Sequence, residues 1–225
     1  MILRLIVQNL LWLAGMAALL FVPAGEVHWP AAWVFLATLA GISTGFTIWL
    51  ARTDPGLLAE RMKFPISREQ KPWDRVLMAF IGLFYAGWTA LAGLDVQRFH
   101  GSDMPIMLQA FGLALIAACM AIVWLTFREN TFAAPVVRIQ AERGQKVIST
   151  GPYALVRHPM YAGAILFLFG QPLLLGSWWA FAATPILVLA IAVRAVGEEG
   201  ELSKAFPDYA GYAARVRFRL IPGIW

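Results

Sequence analysis

Cysteine, histidine and charged side chains are all scarce in this sequence of 225 residues. The single cysteine, Cys119, excludes a disulfide within the chain. The three histidines, His28, His100 and His158, are far apart and lack the spacing of zinc ligands, so we predict no metal site. Charged residues make up only 14% of the chain, against about 25% in soluble domains, which argues against a soluble globular protein.

The sequence contains instead six stretches without Asp, Glu, Lys or Arg, at residues 5–22, 31–51, 76–94, 105–127, 159–176 and 178–193. Because a membrane-spanning helix needs about 20 mostly apolar residues, we predict an all-α integral membrane protein with about six transmembrane helices. The sixth stretch is the shortest, at 16 residues. The last two stretches are separated by a single turn, so we expect them to form a helical hairpin.

Lys and Arg are distributed unevenly between the predicted loops. With six spans, 17 of the 18 basic residues lie on one side of the membrane, and only Arg98 lies on the other. Basic residues accumulate in cytoplasmic loops, so we expect this side, with both termini, to face the cytoplasm. The net charge of +5 then reflects orientation, and we predict no nucleic-acid partner.

No internal repeat or long polar linker divides the chain, so we predict one membrane domain over residues 1–225. Residues 1–127 would form four N-terminal helices. Residues 128–225 would form a motif loop, the hairpin and a cytoplasmic tail, with the sixth helix continuing into a polar segment. Residues 53–64 predict a short interfacial helix, and residues 128–150 predict two short extended segments.

One motif in the second stretch is misleading. Residues 41–45, Gly-Ile-Ser-Thr-Gly, match the nucleophile elbow of serine hydrolases, which requires a strand, a turn and a helix. Here the motif lies inside an apolar span with no histidine at membrane depth. We interpret Gly41, Ser43 and Gly45 as small residues that allow close helix packing.

The most informative polar segment is residues 151–163, Gly-Pro-Tyr-Ala-Leu-Val-Arg-His-Pro-Met-Tyr-Ala-Gly. Pro159 suits the first position of a helix, and His158 before it suits the cap. Arg157 and His158 would then lie beside unpaired N–H groups, which is an anion-binding arrangement. Tyr161, three residues after His158, faces the same way. A plain interfacial anchor is the alternative interpretation.

A second polar group, Arg194, Glu198 and Glu199, follows the hairpin. Since the hairpin returns the chain to the same side of the membrane, these residues are expected near Arg157 and His158. Arg194 and Glu198 are four residues apart and suit a pair along the helix, which leaves Glu199 without a helical partner. The two groups together predict a polar pocket at the cytoplasmic end of the helices.

These two groups, the Tyr209 and Tyr212 spacing, and the closing Arg-Leu-Ile-Pro at 219–222 resemble the isoprenylcysteine carboxyl methyltransferase family and the related phospholipid methyltransferases. The resemblance is strong over residues 150–225, and residues 54–61 and Asn130 also look like features of the bacterial members. It implies a membrane enzyme that methylates a lipophilic acceptor from the bilayer with S-adenosylmethionine, its catalytic region being residues 128–225.

The resemblance also implies residue roles. The cofactor would be bound by Tyr153, Arg157, His158, Pro159, Tyr161, Gly163, Glu198 and Glu199. The substrate would be bound by Arg194, Tyr212 and Asn130, and the catalytic residues would be Arg194, Glu199 and His158. A carboxylate acceptor needs no base, whereas an amine acceptor needs one, for which Glu199 and His158 are the candidates.

Three alternatives accompany this interpretation. One is phosphatidylethanolamine N-methylation, which changes only the acceptor. Another is an NADPH-dependent sterol or steroid reductase, since those membrane enzymes have a similar Arg-His-Pro-x-Tyr segment. The third is a non-enzymatic scaffold or transporter subunit, which the few polar residues within the spans disfavour.

Overall fold

The computed structural model describes residues 2–62, 70–133, 135 and 140–225, and within these residues the regular structure is helical, with no strand. Its α-helices are α1 (Ile2–Ala24), α2 (Pro30–Thr53), α3 (Pro55–Arg61), α4 (Pro72–Gly93), α5 (Ile106–Glu129), α6 (Pro159–Leu175), α7 (Trp178–Ala205) and α8 (Tyr209–Arg215). In this part of the chain, five helices (α1, α2, α4, α5 and α7) are long and apolar enough to cross a membrane. The chain is therefore an all-α integral membrane protein.

The two helices after the motif loop differ in length. Helix α6 has 17 residues, about 26 Å at the usual rise, somewhat less than the roughly 30 Å of a bilayer core. Helix α7 has 28 residues, about 42 Å by the same rise. The expectation that the sixth helix continues into the polar segment is confirmed, because α7 extends past Val193 to Ala205.

Proline and short polar side chains determine where several helices begin. Helices α2, α3, α4 and α6 each start with a proline, whose missing N–H would have no partner there. Asp54 caps α3 by accepting a hydrogen bond from the Leu57 N–H at 2.9 Å. Between α6 and α7, Gly176 adopts a φ of +87° and Ser177 caps α7 through the Ala180 N–H.

Polar contacts define two opposite ends of the helix bundle. At one end, the Asp95 carboxylate in the π-helical turn after α4 accepts hydrogen bonds from Ser102 at 2.6 Å and Ser177 at 2.5 Å. The α4–α5 and α6–α7 connections therefore meet there. The other end is here called the charged end. It contains α3, the motif loop that connects α5 to α6, the last turns of α7 and the C-terminal residues.

Helices α5 and α6 pack through glycine. A Cβ on Gly112 would lie 2.6 Å from the Gly170 carbonyl oxygen, and one on Gly170 would lie 2.7 Å from the Gly112 carbonyl oxygen. No side chain fits at either position, so the two backbones touch. The small residues of the misleading motif do not have this role: a Cβ on Gly41 or Gly45 would meet no neighbour within 4 Å, and Ser43 donates to Asn9.

Two local predictions can be compared with the structure. The predicted short helix forms as α3, with Leu57 and Leu58 buried against the bundle and Pro55, Gly56 and Ala59 exposed; residues 63 and 64 lie outside the described residues. The predicted extended segments are absent among the described residues of the motif loop, where Ala141–Arg143 form a 3-10 turn and Val147 is irregular. The other expected strand residues, 136, 137 and 139, lie outside the described residues.

A buried ion pair connects α4 to α7. The Arg194 guanidinium donates to the Asp74 carboxylate, with Nε 2.8 Å from Oδ1, and Asp74 also accepts from Gln70 at 2.6 Å. Asp74 is fully buried and Arg194 nearly so. A buried charge is tolerated because its partner neutralises it, so this pair constrains the relative position of the two helices.

We expect Asp74→Ala to lower the free energy of unfolding by about 3–5 kcal/mol, because it leaves the Arg194 guanidinium buried without its carboxylate. Thermal unfolding in a neutral detergent measures the loss. The double variant Asp74→Leu with Arg194→Met should recover most of it, since an apolar pair of similar volume removes the uncompensated charge. Equal destabilisation in the single and double variants would contradict this account.

Candidate functional site

The site lies at the charged end, where the motif loop before α6 meets the last turns of α7. His158 has an extended-type backbone, with φ of −126° and ψ of 67°, as expected for a residue before proline. The N–H groups of Arg157 and His158 donate to the carbonyls of Phe218 and Arg219, both at 2.9 Å. The C-terminal segment therefore pairs directly with the residues that precede α6.

Glu199 is the centre of a charge cluster at this junction. Its carboxylate accepts from Arg157 Nε at 2.6 Å and from Arg219 Nε at 2.9 Å. His158 Nε2 lies 3.3 Å from the same carboxylate. Among the described residues, the Glu199 carboxylate has no partner on its own helix, as the sequence indicated, and it joins α7 to the motif loop and the C-terminal segment.

Arg157 makes a second set of contacts with its remaining donors. Its Nη1 donates to the carbonyls of Val216 at 2.8 Å and Arg217 at 3.1 Å. The guanidinium thus closes the segment after α8 onto the motif loop. Because Arg157 is buried and its donors are engaged, its main effect in this structure is to hold the C-terminal segment in place.

Glu198 points to the other side of α7. Its carboxylate accepts from the Tyr161 hydroxyl at 2.7 Å, and its Oε2 lies 3.9 Å from His158 Nδ1. The His158 ring stacks on the Tyr161 ring, with centroids 5.5 Å apart and planes inclined by 14°. His158 is therefore placed between the two adjacent glutamates.

Arg194 does not form the expected pair along the helix with Glu198. Its carboxylate partner is Asp74, and its Nη2 also donates to the Pro135 carbonyl at 2.9 Å. The guanidinium lies 5.7 Å from the centre of the Tyr161 ring, so it borders the same space as Glu198. The sequence offered no signal for Asp74 as this partner, because it lies 120 residues away.

A cleft with a volume of about 100 Å³ lies between the motif loop, α6, α7 and α8. It is lined by nine of the eleven residues for which the sequence predicted a role, namely Asn130, Tyr153, Arg157, His158, Pro159, Tyr161, Arg194, Glu198 and Tyr212. Glu199 lies behind this lining, in the charge cluster. Gly163 faces α5 instead, where its Cβ position is 3.4 Å from the Cys119 carbonyl oxygen.

Tyrosine and asparagine form the wall opposite Glu198. Asn130 donates to the Tyr153 hydroxyl at 2.7 Å, and the Tyr212 hydroxyl donates to the Tyr153 carbonyl at 2.9 Å. Burial raises the pKa of Tyr153 well above its ordinary value and raises the pKa of Tyr212 to about 12. Both hydroxyls therefore keep their protons at neutral pH.

Tyr209 is a cleft residue to which the sequence assigned no role, although it belongs to the spacing that carried the resemblance. It is only 4% exposed, and its hydroxyl has no hydrogen-bond partner in the described part of the chain. Burial raises the pKa of this hydroxyl, so it stays protonated. A buried, unpaired donor that lines a cleft suits a polar atom of a ligand.

Across the described ranges, no three His, Cys, Asp or Glu side chains are grouped closely enough to bind a metal ion. The lining combines two carboxylates, Glu198 and the lysine-paired Glu201, with aromatic and aliphatic side chains, among them Phe206, Val147 and Leu202. This arrangement suits an organic ligand with polar and apolar parts.

Fold and site together define a class: an α-helical integral membrane protein with a cleft at the charged end of its C-terminal helices. Residues 107–208 match the model of the phospholipid methyltransferase family. The predicted resemblance is therefore confirmed over this part of the chain. The match includes every predicted site residue except Tyr212.

One curated relative is the cobalt-zinc-cadmium resistance protein CzcN of Cupriavidus metallidurans. It is 33% identical over 81 residues, which cover 34% of this chain and 36% of the relative. The alignment thus spans only about a third of the length of that protein.

We expect Tyr209→Phe and Tyr212→Phe to have different effects on the stability of the ligand-free protein. Tyr209→Phe removes an unpaired buried hydroxyl and should leave stability unchanged or raise it by about 1 kcal/mol. Tyr212→Phe breaks the hydrogen bond to the Tyr153 carbonyl and should cost about 1 kcal/mol. Thermal unfolding of both variants against wild type provides the comparison, and destabilisation by Tyr209→Phe would show that its hydroxyl has a partner.

Proposed function

We propose that this protein is an S-adenosylmethionine-dependent membrane methyltransferase that acts on a lipophilic acceptor. The observation that carries this proposal is the cleft at the charged end. It collects side chains from the end of α5, the motif loop, α6, α7 and α8, and most of them lie within the region that matches the phospholipid methyltransferase family.

The chemistry of the cleft fits this cofactor. S-adenosylmethionine supplies, when bound, a methyl group carried on a sulfonium cation. Glu198 offers a carboxylate to cationic or hydroxyl groups, and the unpaired Tyr209 hydroxyl offers one more hydrogen bond. Phe206, Tyr153 and the aliphatic wall provide surfaces for an aromatic base and for the sulfonium.

Binding of a ligand of this size requires part of the cleft to open. The enclosed volume of about 100 Å³ is smaller than the roughly 300–1,000 Å³ of typical ligand sites. The irregular loop at residues 145–148 forms one wall and has no helical hydrogen bonds to break. We propose that this loop moves outward when the cofactor enters and covers it afterwards.

The charge cluster and the cleft then have different roles. Glu199 is a positioning residue, because it orients Arg157 and His158 from behind the lining. The acceptor would lie between two walls of the cleft. One wall is Arg194, which Asp74 holds in place, and the other is formed by Asn130 and Tyr212. Alignment of the reacting groups is the main requirement, since a well-oriented displacement gains as much as about 7–11 kcal/mol from proximity alone.

Two acceptor classes fit this arrangement. An acceptor carboxylate, as in isoprenylcysteine methylation, needs no base, which agrees with a Glu199 whose charge is neutralised by Arg157 and Arg219. An amine acceptor, as in phosphatidylethanolamine, must lose a proton. Glu198, with Tyr161 as its hydroxyl partner and a position on the cleft, is the better placed base for that case.

We further propose that the charged end faces the cytoplasm. Nearly all Lys and Arg residues lie in the segments assigned to this end, and the positive-inside rule then orients the protein. In this arrangement α6 and α7 cross the bilayer as a hairpin, and the slight shortness of α6 places its polar start, with Arg157 and His158, at the membrane surface.

Cofactor binding is the direct test. We expect S-adenosylhomocysteine to raise the unfolding temperature of the purified protein and NADPH to have no effect. His158→Ala and Glu199→Gln should abolish this stabilisation, because both disrupt the cluster that orients the cleft. Glu198→Gln should weaken binding at least about tenfold without loss of stability, since the amide oxygen still accepts from Tyr161.

Arg52→Gln is the matched control, because Arg52 is an exposed residue in the last turn of α2 that does not line the cleft, and it should leave binding unchanged. Stabilisation by NADPH and not by S-adenosylhomocysteine would contradict the proposal and favour a reductase. Wild-type affinity in both His158→Ala and Glu199→Gln would place the cofactor elsewhere.

The acceptor class has its own test. Membranes containing the protein are incubated with S-adenosylmethionine labelled in the methyl group, and the labelled lipid fraction is treated with mild base. Label on a carboxylate is a methyl ester and is released as methanol, whereas label on an amine is retained. We expect release; retention would show that the acceptor is an amine.

A further inference from the structure

Residues 220–225, here called the C-terminal turn, present an apolar surface at the charged end. After the buried Leu220, residues 221–225 read Ile-Pro-Gly-Ile-Trp, and all five are exposed. Ile224 has the largest exposed fraction among the apolar side chains of this turn, at 77%. Five consecutive exposed residues without a polar side chain favour contact with an apolar or interfacial partner over contact with bulk water.

The backbone of the C-terminal turn is largely satisfied by its own hydrogen bonds. The N–H groups of Leu220 and Ile221 donate to the Trp225 carbonyl at 2.9 and 3.0 Å. Those of Ile224 and Trp225 donate to the Ile221 carbonyl, both at 3.1 Å. Pro222 has no N–H group to satisfy. The turn can therefore leave water at a low cost in unpaired backbone groups, as a membrane environment requires.

Leu220 places the turn beside the apolar helices of the bundle. It is buried in one cluster with Tyr161 and Ile165 of α6 and Ala195 of α7. Because Ile165 lies within the second turn of α6, about 9 Å along the helix axis from Pro159, the chain at Leu220 reaches the level of the apolar helix surface. The exposed apolar side chains of the turn thus continue the apolar exterior of α6 and α7.

Cationic side chains border this apolar surface. Arg215 and Arg217 are exposed just before the turn, and the Arg219 guanidinium carbon lies 5.1 Å from the centre of the Trp225 ring. Residues 209–225 contain no Asp or Glu. A tryptophan and aliphatic side chains next to arginines are typical of segments in the headgroup layer, where lipid phosphates neutralise the cations. This pattern favours a lipid surface as the partner.

The turn is also connected to the charge cluster. Arg219, the residue before it, donates to the Glu199 carboxylate at 2.9 Å. The Phe218 and Arg219 carbonyls accept hydrogen bonds from the N–H groups of Arg157 and His158 in the motif loop. A displacement of the turn would therefore disturb the contacts that position Arg157 and His158, which line the cleft.

We propose that the C-terminal turn is a membrane-surface anchor. Ile221, Ile224 and Trp225 insert into the headgroup layer of the leaflet at the charged end, and this insertion holds the C-terminal segment against the motif loop. The bilayer surface thereby stabilises one wall of the cleft through Arg219. This anchoring is independent of which ligand the cleft binds.

Insertion is tested with a fluorescent label on a single cysteine. Cys119→Ala removes the native thiol, and Ile224→Cys provides a site for the fluorophore NBD in nanodiscs of phosphatidylcholine and phosphatidylglycerol. The matched control is the same label at Ala210→Cys, an exposed position on α8. Dithionite, which reduces NBD from the water phase, should react at least about tenfold more slowly with the label at residue 224.

A lipid with a nitroxide near its headgroup distinguishes insertion from burial within the protein. It should quench the label at residue 224 more strongly than the label at residue 210. Equal dithionite rates at the two positions would overturn the proposal. Slow reaction without nitroxide quenching would overturn it as well, because the label would then be covered by protein and not by lipid.

Hydrogen exchange provides the test of the link to the motif loop. Ile221→Ser with Ile224→Ser should release the turn from the bilayer, so the N–H groups of Arg157 and His158 should exchange at least about threefold faster in the nanodiscs. Exchange in the second half of α6 should not change. Ile221→Leu with Ile224→Leu keeps the apolar surface and should match wild type.

Unchanged exchange at Arg157 and His158 in the serine variant would overturn the link. Equally fast exchange in the serine and leucine variants would also overturn it, because specific packing of the two isoleucines within the protein would then hold the segment.

Discussion

The carboxylate of Glu199 is the interaction on which the arrangement of the charged end depends. It joins α7 to Arg157 and His158 of the motif loop and to Arg219 of the C-terminal segment. A charged group near a membrane is stable only when it is paired or hydrated, so three cationic or polar partners concentrate on this one acid. The position of the motif loop, and with it one wall of the cleft, follows from this cluster.

The two adjacent glutamates of α7 have different roles: Glu199 stabilises the structure of the charged end, and Glu198 lines the cleft. Successive residues on a helix point about 100° apart, so one side chain faces the C-terminal segment and the other faces the cleft. The Glu199 carboxylate is paired with Arg157 and Arg219. The Glu198 carboxylate instead accepts a hydrogen bond from the Tyr161 hydroxyl and faces the cleft.

Much of the site was predictable because its residues are close in sequence or lie at equivalent ends of neighbouring helices. A hairpin must return Glu198 and Glu199 to the level of Arg157 and His158, whatever its detailed packing. The residues that escaped prediction are those whose role depends on helix rotation and on distant segments: Asp74 as the partner of Arg194, Tyr209 with its unpaired hydroxyl, and Gly163, which packs on α5.

Composition and the spacing of charges alone determined that this is an all-α membrane protein with its unusual polar residues at one end. That conclusion holds because the bilayer tolerates charge only at its surfaces, which makes span positions readable from a single sequence. The tertiary structure alone decided which carboxylate neutralises which cation. Ion pairs form between side chains that helix packing brings within a few ångströms, and the rotation of each helix about its axis is set by packing of the whole bundle, such as the glycine contact between α5 and α6.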